Sequence, residues 1–399
     1  LVGSEMCIRD RVYTLLNTVI GEVTGKTDLV AEDLSNVVDV GKEVLGSDNM
    51  VDAYVKSLVN HIGKVIFVNR VYEGRAPSVL MDGWEYGSIL EKIHADLPDS
   101  VENESWDLTA GQTYNQDIFN GPKVHTKFFN SKNTYEIDMS FADRQVKQSF
   151  SNAVQLNSFF SMIDNRIRTR KTMDYDNLIM RTINNFTAAT IKADYAAAAL
   201  NTKSGFKAVN LLYKYNEDKE DANKLTAVTC LNNLDFLKYA STQIALYSDR
   251  LTDNSQLFNI GGTVKFTPKD LQHIVMLSEF EKAVAVYLQS DTFHEQLVAL
   301  PGHENVTYWQ GPGKDYSFAN TSKINVTIKP VDGTSDNVSV VGTGILACIF
   351  DRDALGVCNV EDRVTTHYNA KAEFFNNFYK SEAQYFNDYN ENFVVFFVA

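Results

Sequence analysis

The run SFADRQVKQSFSNAVQLNSFFSMIDNRIRTRK, residues 140–171, constrains this chain more than any other stretch. Val146, Phe150, Ala153, Leu156, Phe160, Ile163 and Ile167 recur every three or four positions, the spacing that lines one face of an α-helix. Ser140 and Asp143 stand where a helix start would be capped, and Arg166, Arg168, Arg170 and Lys171 stand where cations would answer the negative helix end. About 30 residues at 1.5 Å each make a rod of roughly 45 Å, longer than a small globule needs. A second helix is predicted over MDYDNLIMRTINNFTAATIKADYAAAALN, with Leu178, Ile179, Ile183 and Phe186 inward.

The segment before the rod is its opposite. Two strand-like arms, GWEYGSILEKIHA and KVHTKFFNSKNTYEIDM, flank a polar, acidic stretch, DLPDSVENESWDLTAGQTYNQDIFNG. In the second arm Val124, Thr126 and Phe128, then Tyr135, Ile137 and Met139, keep a period of two. A connection that long is uncommon in a compact domain unless it serves a partner. Upstream, Val51, Tyr54, Val55, Leu58, Val59 and Ile62 share a helical face, and VIFVNRVY comes next as a short buried strand.

From about residue 206 to 355 short strands and helices alternate. LTAVTC, VKFT, HIVML, NVTYW, SKINVTI and GILACIF read as strands, and LNNLDFLKYASTQIALYS and EFEKAVAVYLQSDTFHEQL as helices. The aromatic last stretch ends on FVVFFVA, where each large apolar side chain gains about 1.5–3 kcal/mol if buried, so a strand locked in a sheet is expected. The class is α+β. With 44% hydrophobic residues over 399 positions, the chain can build a large core or several.

Charge and motifs exclude much. A formal net charge of −14 repels phosphate backbones on average, which argues against sequence-specific reading of nucleic acid. Cys7, Cys230, Cys348 and Cys358 have no CxxC spacing, and His94, His125, His273, His294, His303 and His367 have no HxH or HExxH spacing, so no metal site is expected. Gly342-x-Gly344-x-x-Ala347 comes after a strand-like run as a dinucleotide fingerprint does, yet the run beyond it, ILACIFDRD, is another strand and not a helix start. Asp351, Arg352 and Asp353 could serve as acid and base, and read more simply as a charged turn. Phe374, Phe375, Phe378, Tyr379, Tyr385, Phe386 and Tyr389 could stack nucleic-acid bases, but acidic neighbours favour packing. No catalytic, cofactor-binding or metal-binding residue is therefore nominated. No membrane helix or targeting signal is read. Residues 1–11, LVGSEMCIRDR, resemble a translated sequencing adapter and are expected to be an artefact, with the natural N-terminus missing.

The helix and strand VDAYVKSLVNHIGKVIFVNRV, the two-armed excursion, the rod VKQSFSNAVQLNSFFSMIDNRI with MDYDNLIMRTINNF after it, and ILACIFDRDALGV together resemble the tailed-bacteriophage major capsid protein. The likeness runs over most of residues 50–399 and is strongest toward short-tailed phages of the phi-twenty-nine type. It implies the Hong Kong 97-like capsid fold. Residues 12–70 would be an N-terminal arm and helix, 71–139 an extended loop over a neighbouring subunit, 140–205 with 356–399 a peripheral domain, and 206–355 an axial domain. It further implies a structural subunit and not an enzyme. Such a subunit assembles in the bacterial host cytoplasm into hexamers and pentamers. These close as a virion shell around double-stranded DNA, which is held only non-specifically, and scaffolding and portal proteins are the expected partners. The family's namesake joins Lys to Asn covalently, and Lys92, Lys123, Lys127 and Lys132 lie in the loop, but no spacing identifies a partner. Two rivals stay open: an encapsulin-like compartment shell, and a nucleotide-dependent enzyme using Gly342 and Gly344.

Overall fold

The computed structural model describes residues 17, 20, 76–81, 90–95, 98, 100, 105, 107–113, 119, 121–142, 153–196, 198–289, 301–307, 309, 323–328 and 338–399. The expected adapter segment, the helix at 51–62, the strand VIFVNRVY, Cys7 and His294 lie outside them. In order come β1 (Leu90–Ala95), β2 (Val124–Phe129), β3 (Lys132–Ala142), α1 (Ala153–Tyr195), β4 (Ala208–Asn210), α2 (Leu211–Asn216), α3 (Leu234–Arg250), β5 (Gln272–Leu277), α4 (Ser278–Gln289), β6 (Glu304–Val306), β7 (Lys323–Ile328), β8 (Val338–Thr343), β9 (Ile345–Asp351), β10 (Leu355–Asn369), β11 (Phe374–Asn387) and β12 (Phe393–Phe397). The chain divides into two compact units: residues 1–86, 132–180 and 357–384, and residues 87–131, 181–356 and 385–399.

In the first unit a three-stranded sheet runs β10-β11-β3. β3 and β11 are antiparallel, from Lys132 opposite Gln384 to Ala142 opposite Phe374. Phe375, Asn377, Tyr379, Ser381 and Ala383 form the buried face of β11, a period of two with polar residues inside. The helix meets this sheet through equally mixed chemistry. Tyr175 Oη donates to Asn359 Oδ1 and lies 3.1 Å from Ser381 Oγ, while Lys171 Nζ stands 3.1 Å from Asp362 Oδ2 with both side chains nearly buried. Burial alone pushes the Tyr379 phenol well above its ordinary range.

The second unit is built on a five-stranded mixed sheet, β4-β12-β9-β5-β6. β12 runs parallel to β4 and antiparallel to β9. Both of its faces are covered. Val394, Phe396 and Val398 join the cluster around Leu237, Ile244 and Tyr247 of α3, while Phe393 stacks on Phe186 at 4.3 Å and Phe397 meets Tyr195 edge-on at 5.7 Å. A strand buried on two sides needs an unbroken apolar run, which is why FVVFF does not alternate. The expectation of a locked terminal strand holds. Asn233 caps α3 by accepting from Phe236 N–H at 3.0 Å, and fully buried Asn210 caps α2 from Tyr213 N–H at 3.0 Å while its amide donates to Leu200 and Ala399 carbonyls.

Several expectations need correcting. The rod and the second helix are one element, α1, of 43 residues. Ser140 does not cap it: Ser140 belongs to β3, and its hydroxyl donates to Asn376 Oδ1 at 2.6 Å. Arg166, Arg168, Arg170 and Lys171 fall inside the helix, so they do not answer its dipole. The second arm is two strands, β2 and β3, in different sheets and different units. LTAVTC is a turn that ends in a 3₁₀ segment, Cys230–Asn232, because Thr226 and Thr229 satisfy each other's backbone and side-chain groups locally. VKFT makes a single bridge, Ser255 to Lys265. By compactness, the terminal strand β12 and residues 385–392 cluster with 181–356.

Candidate functional site

The β1–β2 hairpin has two chemically distinct faces. Its strands are antiparallel, with Lys92 opposite Lys127, Glu91 opposite Phe128, and Ile93 opposite Thr126. Alternation therefore puts Leu90, Lys92 and His94 with Lys127 and Phe129 on one side, and Glu91, Ile93 and Ala95 with Val124, Thr126 and Phe128 on the other. The second side is open. Ile93, Val124 and Phe128 are 65%, 54% and 64% exposed, an apolar set that a lone subunit does not cover.

The first side poses an electrostatic problem that the fold solves. Two lysines directly opposite each other repel. Asp388, 3% exposed, sits between them, with Oδ2 3.0 Å from Lys92 Nζ and Oδ1 2.9 Å from Lys127 Nζ. Glu391, 8% exposed, takes Lys92 Nζ at 2.7 Å and Lys265 Nζ at 3.0 Å. Lys265 Nζ also lies 3.2 Å from His94 Nδ1, and Lys92 donates to the Asp353 carbonyl at 3.0 Å. Burial by itself would lower the Lys92 pKa, but its bond to and the charge of Glu391, followed by Asp388, leave it raised. Burial would likewise raise Asp388, and the Lys127 bond with the Lys92 charge overcomes it and holds the carboxyl below its usual range.

The two carboxylates stand on a firm base. They occupy the turn between β11 and β12, where Asp388 N–H donates to the Ala354 carbonyl at 2.7 Å and Glu391 N–H to the Asp388 carbonyl at 3.1 Å. Residues 259–263 brace it from the side: Ile260 and Gly261 N–H groups donate to the Tyr389 carbonyl at 3.1 and 2.9 Å, and Thr263 Oγ1 to the Asn390 carbonyl at 3.0 Å.

Of the four loop lysines, the fold brings only Lys92 and Lys127 together. Lys132 pairs with Glu382 in the other sheet at 3.2 Å, and Lys123 is exposed. The sequence reading missed Asp388, Glu391 and Lys265. The inner face of the hairpin is thus covered by its own chain, whereas Ile93, Val124 and Phe128 on the outer face are not.

The other candidates resolve as framework. Gly344 forms the turn from β8 into β9 at φ +66°, and no helix comes after it. Its missing Cβ makes room for the Val398 carbonyl, so this glycine serves strand closure. Asp351 is buried and accepts from Thr267 Oγ1 at 2.7 Å and from Asp353 N–H at 2.9 Å, which makes DRD a capped turn. Burial raises its pKa and outweighs these two bonds, which by themselves would lower it. His273 lies beside the Phe350 ring at 5.8 Å and His303 meets the Pro301 carbonyl at 2.7 Å. Among the described residues no three His, Cys, Asp or Glu side chains form a metal-sized group, and no helix is long and apolar enough to cross a membrane. Cys230, Cys348 and Cys358 are buried and in no disulfide among the described residues.

Residues 14–397 match the family model of the Phi29-like phage major capsid protein. The chain belongs to that family. The major capsid protein of Bacillus phage GA-1 is 24% identical over 202 residues, which are 48% of this chain and 41% of that protein, so under half of that relative's length is matched. Among solved structures, the capsid of Staphylococcus phage Andhra gives a TM-score of 0.50 at 10% identity over 83% of this chain and 86% of its own. A chain from the structure of the head fibre and inner core protein of native bacteriophage P68 gives 0.50 at 8% identity, with the same 83% and 86% coverage. At such identities the likeness is one of fold, and it places this capsid protein in the Hong Kong 97-like class. As a major capsid protein its place is the virion shell. The compartment and nucleotide-enzyme rivals give way to the family match.

Proposed function

We propose that this capsid protein joins copies of itself into hexamers and pentamers that close a shell around double-stranded DNA. The open apolar face of the β1–β2 hairpin is the single observation that carries this reading. Covering what remains exposed of Ile93, Val124 and Phe128 is worth on the order of 1–2 kcal/mol each, a gain repeated at every copy of a ring. Residues 71–139 act as the loop that crosses to a neighbour. Residues 206–355 surround the capsomere centre as an axial domain, with 140–205 and 356–399 as the peripheral domain. Assembly takes place in the host cytoplasm with scaffolding and portal proteins. The net charge of −14 leaves DNA confined rather than gripped.

Negative-stain microscopy and sedimentation of the expressed chain test this. Wild-type protein should give rings or shells, and Phe128→Asp should abolish them while leaving its circular dichroism unchanged. A wild-type chain that stays monomeric at high concentration, or particles that survive Phe128→Asp together with Ile93→Asp, would overturn the reading.

A further inference from the structure

We infer that Lys92 and Lys127, with Asp388 and Glu391, form a latch that fixes the hairpin's orientation on its own subunit before any neighbour arrives. The residues are positioning groups for the assembly contact, and in that respect the inference rests on the function proposed above. Three features argue for a latch and against ordinary surface pairing. The cationic side chains come from both hairpin strands and from Lys265, whereas both carboxylates come from one turn that is itself hydrogen-bonded on two sides. The carboxylates are 3% and 8% exposed, so the bonds are charge-assisted, and salt screens them less than solvent-exposed pairs. Among the described residues the hairpin strands pair with each other and with no third strand, and an isolated two-stranded ribbon is marginal in water, so its direction has to be set by groups outside the ribbon.

The physical consequence is preorganisation. A hairpin already held with Ile93, Val124 and Phe128 outward loses less freedom when a second copy covers them, and binding is stronger by the cost avoided. The latch therefore acts through the apolar face and touches no partner itself.

Hydrogen exchange on unassembled subunits tests it, with Lys127→Met and Asp388→Asn as separate variants. Lys132→Met, whose partner Glu382 lies in the other sheet, is the control. Amides of 90–95 and 124–129 should exchange roughly tenfold faster in both latch variants, with those of β5 and β9 unchanged and with no change in the control. Unaltered hairpin protection would overturn the latch, and so would a loss shared by β5 and β9, since the cluster would then only hold the unit together. In particle assays the loosened variants should assemble more slowly and into mixed sizes. Uniform particles formed at the wild-type rate by a variant with a loosened hairpin would overturn the positioning role. A wild-type chain that forms no particles would count against the assembly reading alone, because the exchange result still decides whether the latch exists.

Discussion

Replacing Gly344 by alanine separates two costs that are usually confounded, because the same unit contains an internal reference. Gly344 and Gly262 have nearly the same backbone torsion, φ +66° and +67°. A Cβ on Gly262 meets nothing within 4 Å, so Gly262→Ala costs only the left-handed conformation, about 1–2 kcal/mol. A Cβ on Gly344 would collide with the Val398 carbonyl oxygen and lie 2.9 Å from Val398 Cγ2. Relief requires the end of β12 to move, which breaks the Val398 N–H bond to the Gly344 carbonyl at 2.9 Å. Forced overpacking adds about 1–3 kcal/mol, bringing Gly344→Ala to about 2–5 kcal/mol. Urea unfolding of the unassembled subunit, compared at unchanged m-value, measures both variants. Equal shifts in midpoint would show that the terminal strand gives way freely, and the argument that Gly344 exists to let β12 close the sheet would be wrong.

The charge latch also sets a pH window. Asp388 has a lowered pKa, so its stabilisation is present above the unfolded carboxylate value, near 4, and is lost as pH falls through the lower folded value. Lys92 has a raised pKa, so its share is complete below the unfolded lysine value and is lost only as pH climbs past the folded one. Hairpin amides should accordingly stay protected from mildly acidic to mildly alkaline pH and lose protection below about pH 4. Asp351 and Asp174, whose pKa values burial raises, act in the opposite sense on global stability in acid, so hairpin exchange is the readout and not melting temperature. Asn210→Ala removes a cap and takes the side-chain donor from two half-buried carbonyls, those of Leu200 and Ala399. It should cost about 2–4 kcal/mol by urea unfolding, and a loss below about 1 kcal/mol would contradict the bonding described.

How far the sequence could be read depended on whether the deciding contact was local. FVVFF announced a doubly covered strand because burial on both faces leaves its mark on consecutive residues. The α1 helix was visible as helix but not as one helix. Its buried side includes Lys171, Asp174, Asp176, Thr182, Asn184, Thr187 and Thr190, so the apolar stripe fades just where Arg166–Lys171 imitates a helix end. At its real end no glycine signals the stop: Ala196 takes φ +50° itself, and Asp194 secures the exit by accepting from Lys207 and Ala208 N–H at 2.7 and 2.8 Å. The second arm misled for a related reason. Val124 to Met139 keeps a strand-like period on both sides of Asn130, and periodicity carries no information about which partner each half will choose.

The latch lay beyond any local reading. Lys92 and Lys127 meet Asp388 and Glu391 across 261 to 299 residues of sequence, and the acidic pair sits in NDYNEN, which reads as a polar turn. Yet one clue was present. Lys92 and Lys127 occupy matching positions on strands that a hairpin must pair, and two cations facing each other imply an anion between them. Within the remaining chain, that requirement leaves the acids of turns that close next to the hairpin as the candidates. Charge frustration within a predicted ribbon thus points to a long-range contact that apolar periodicity cannot reveal.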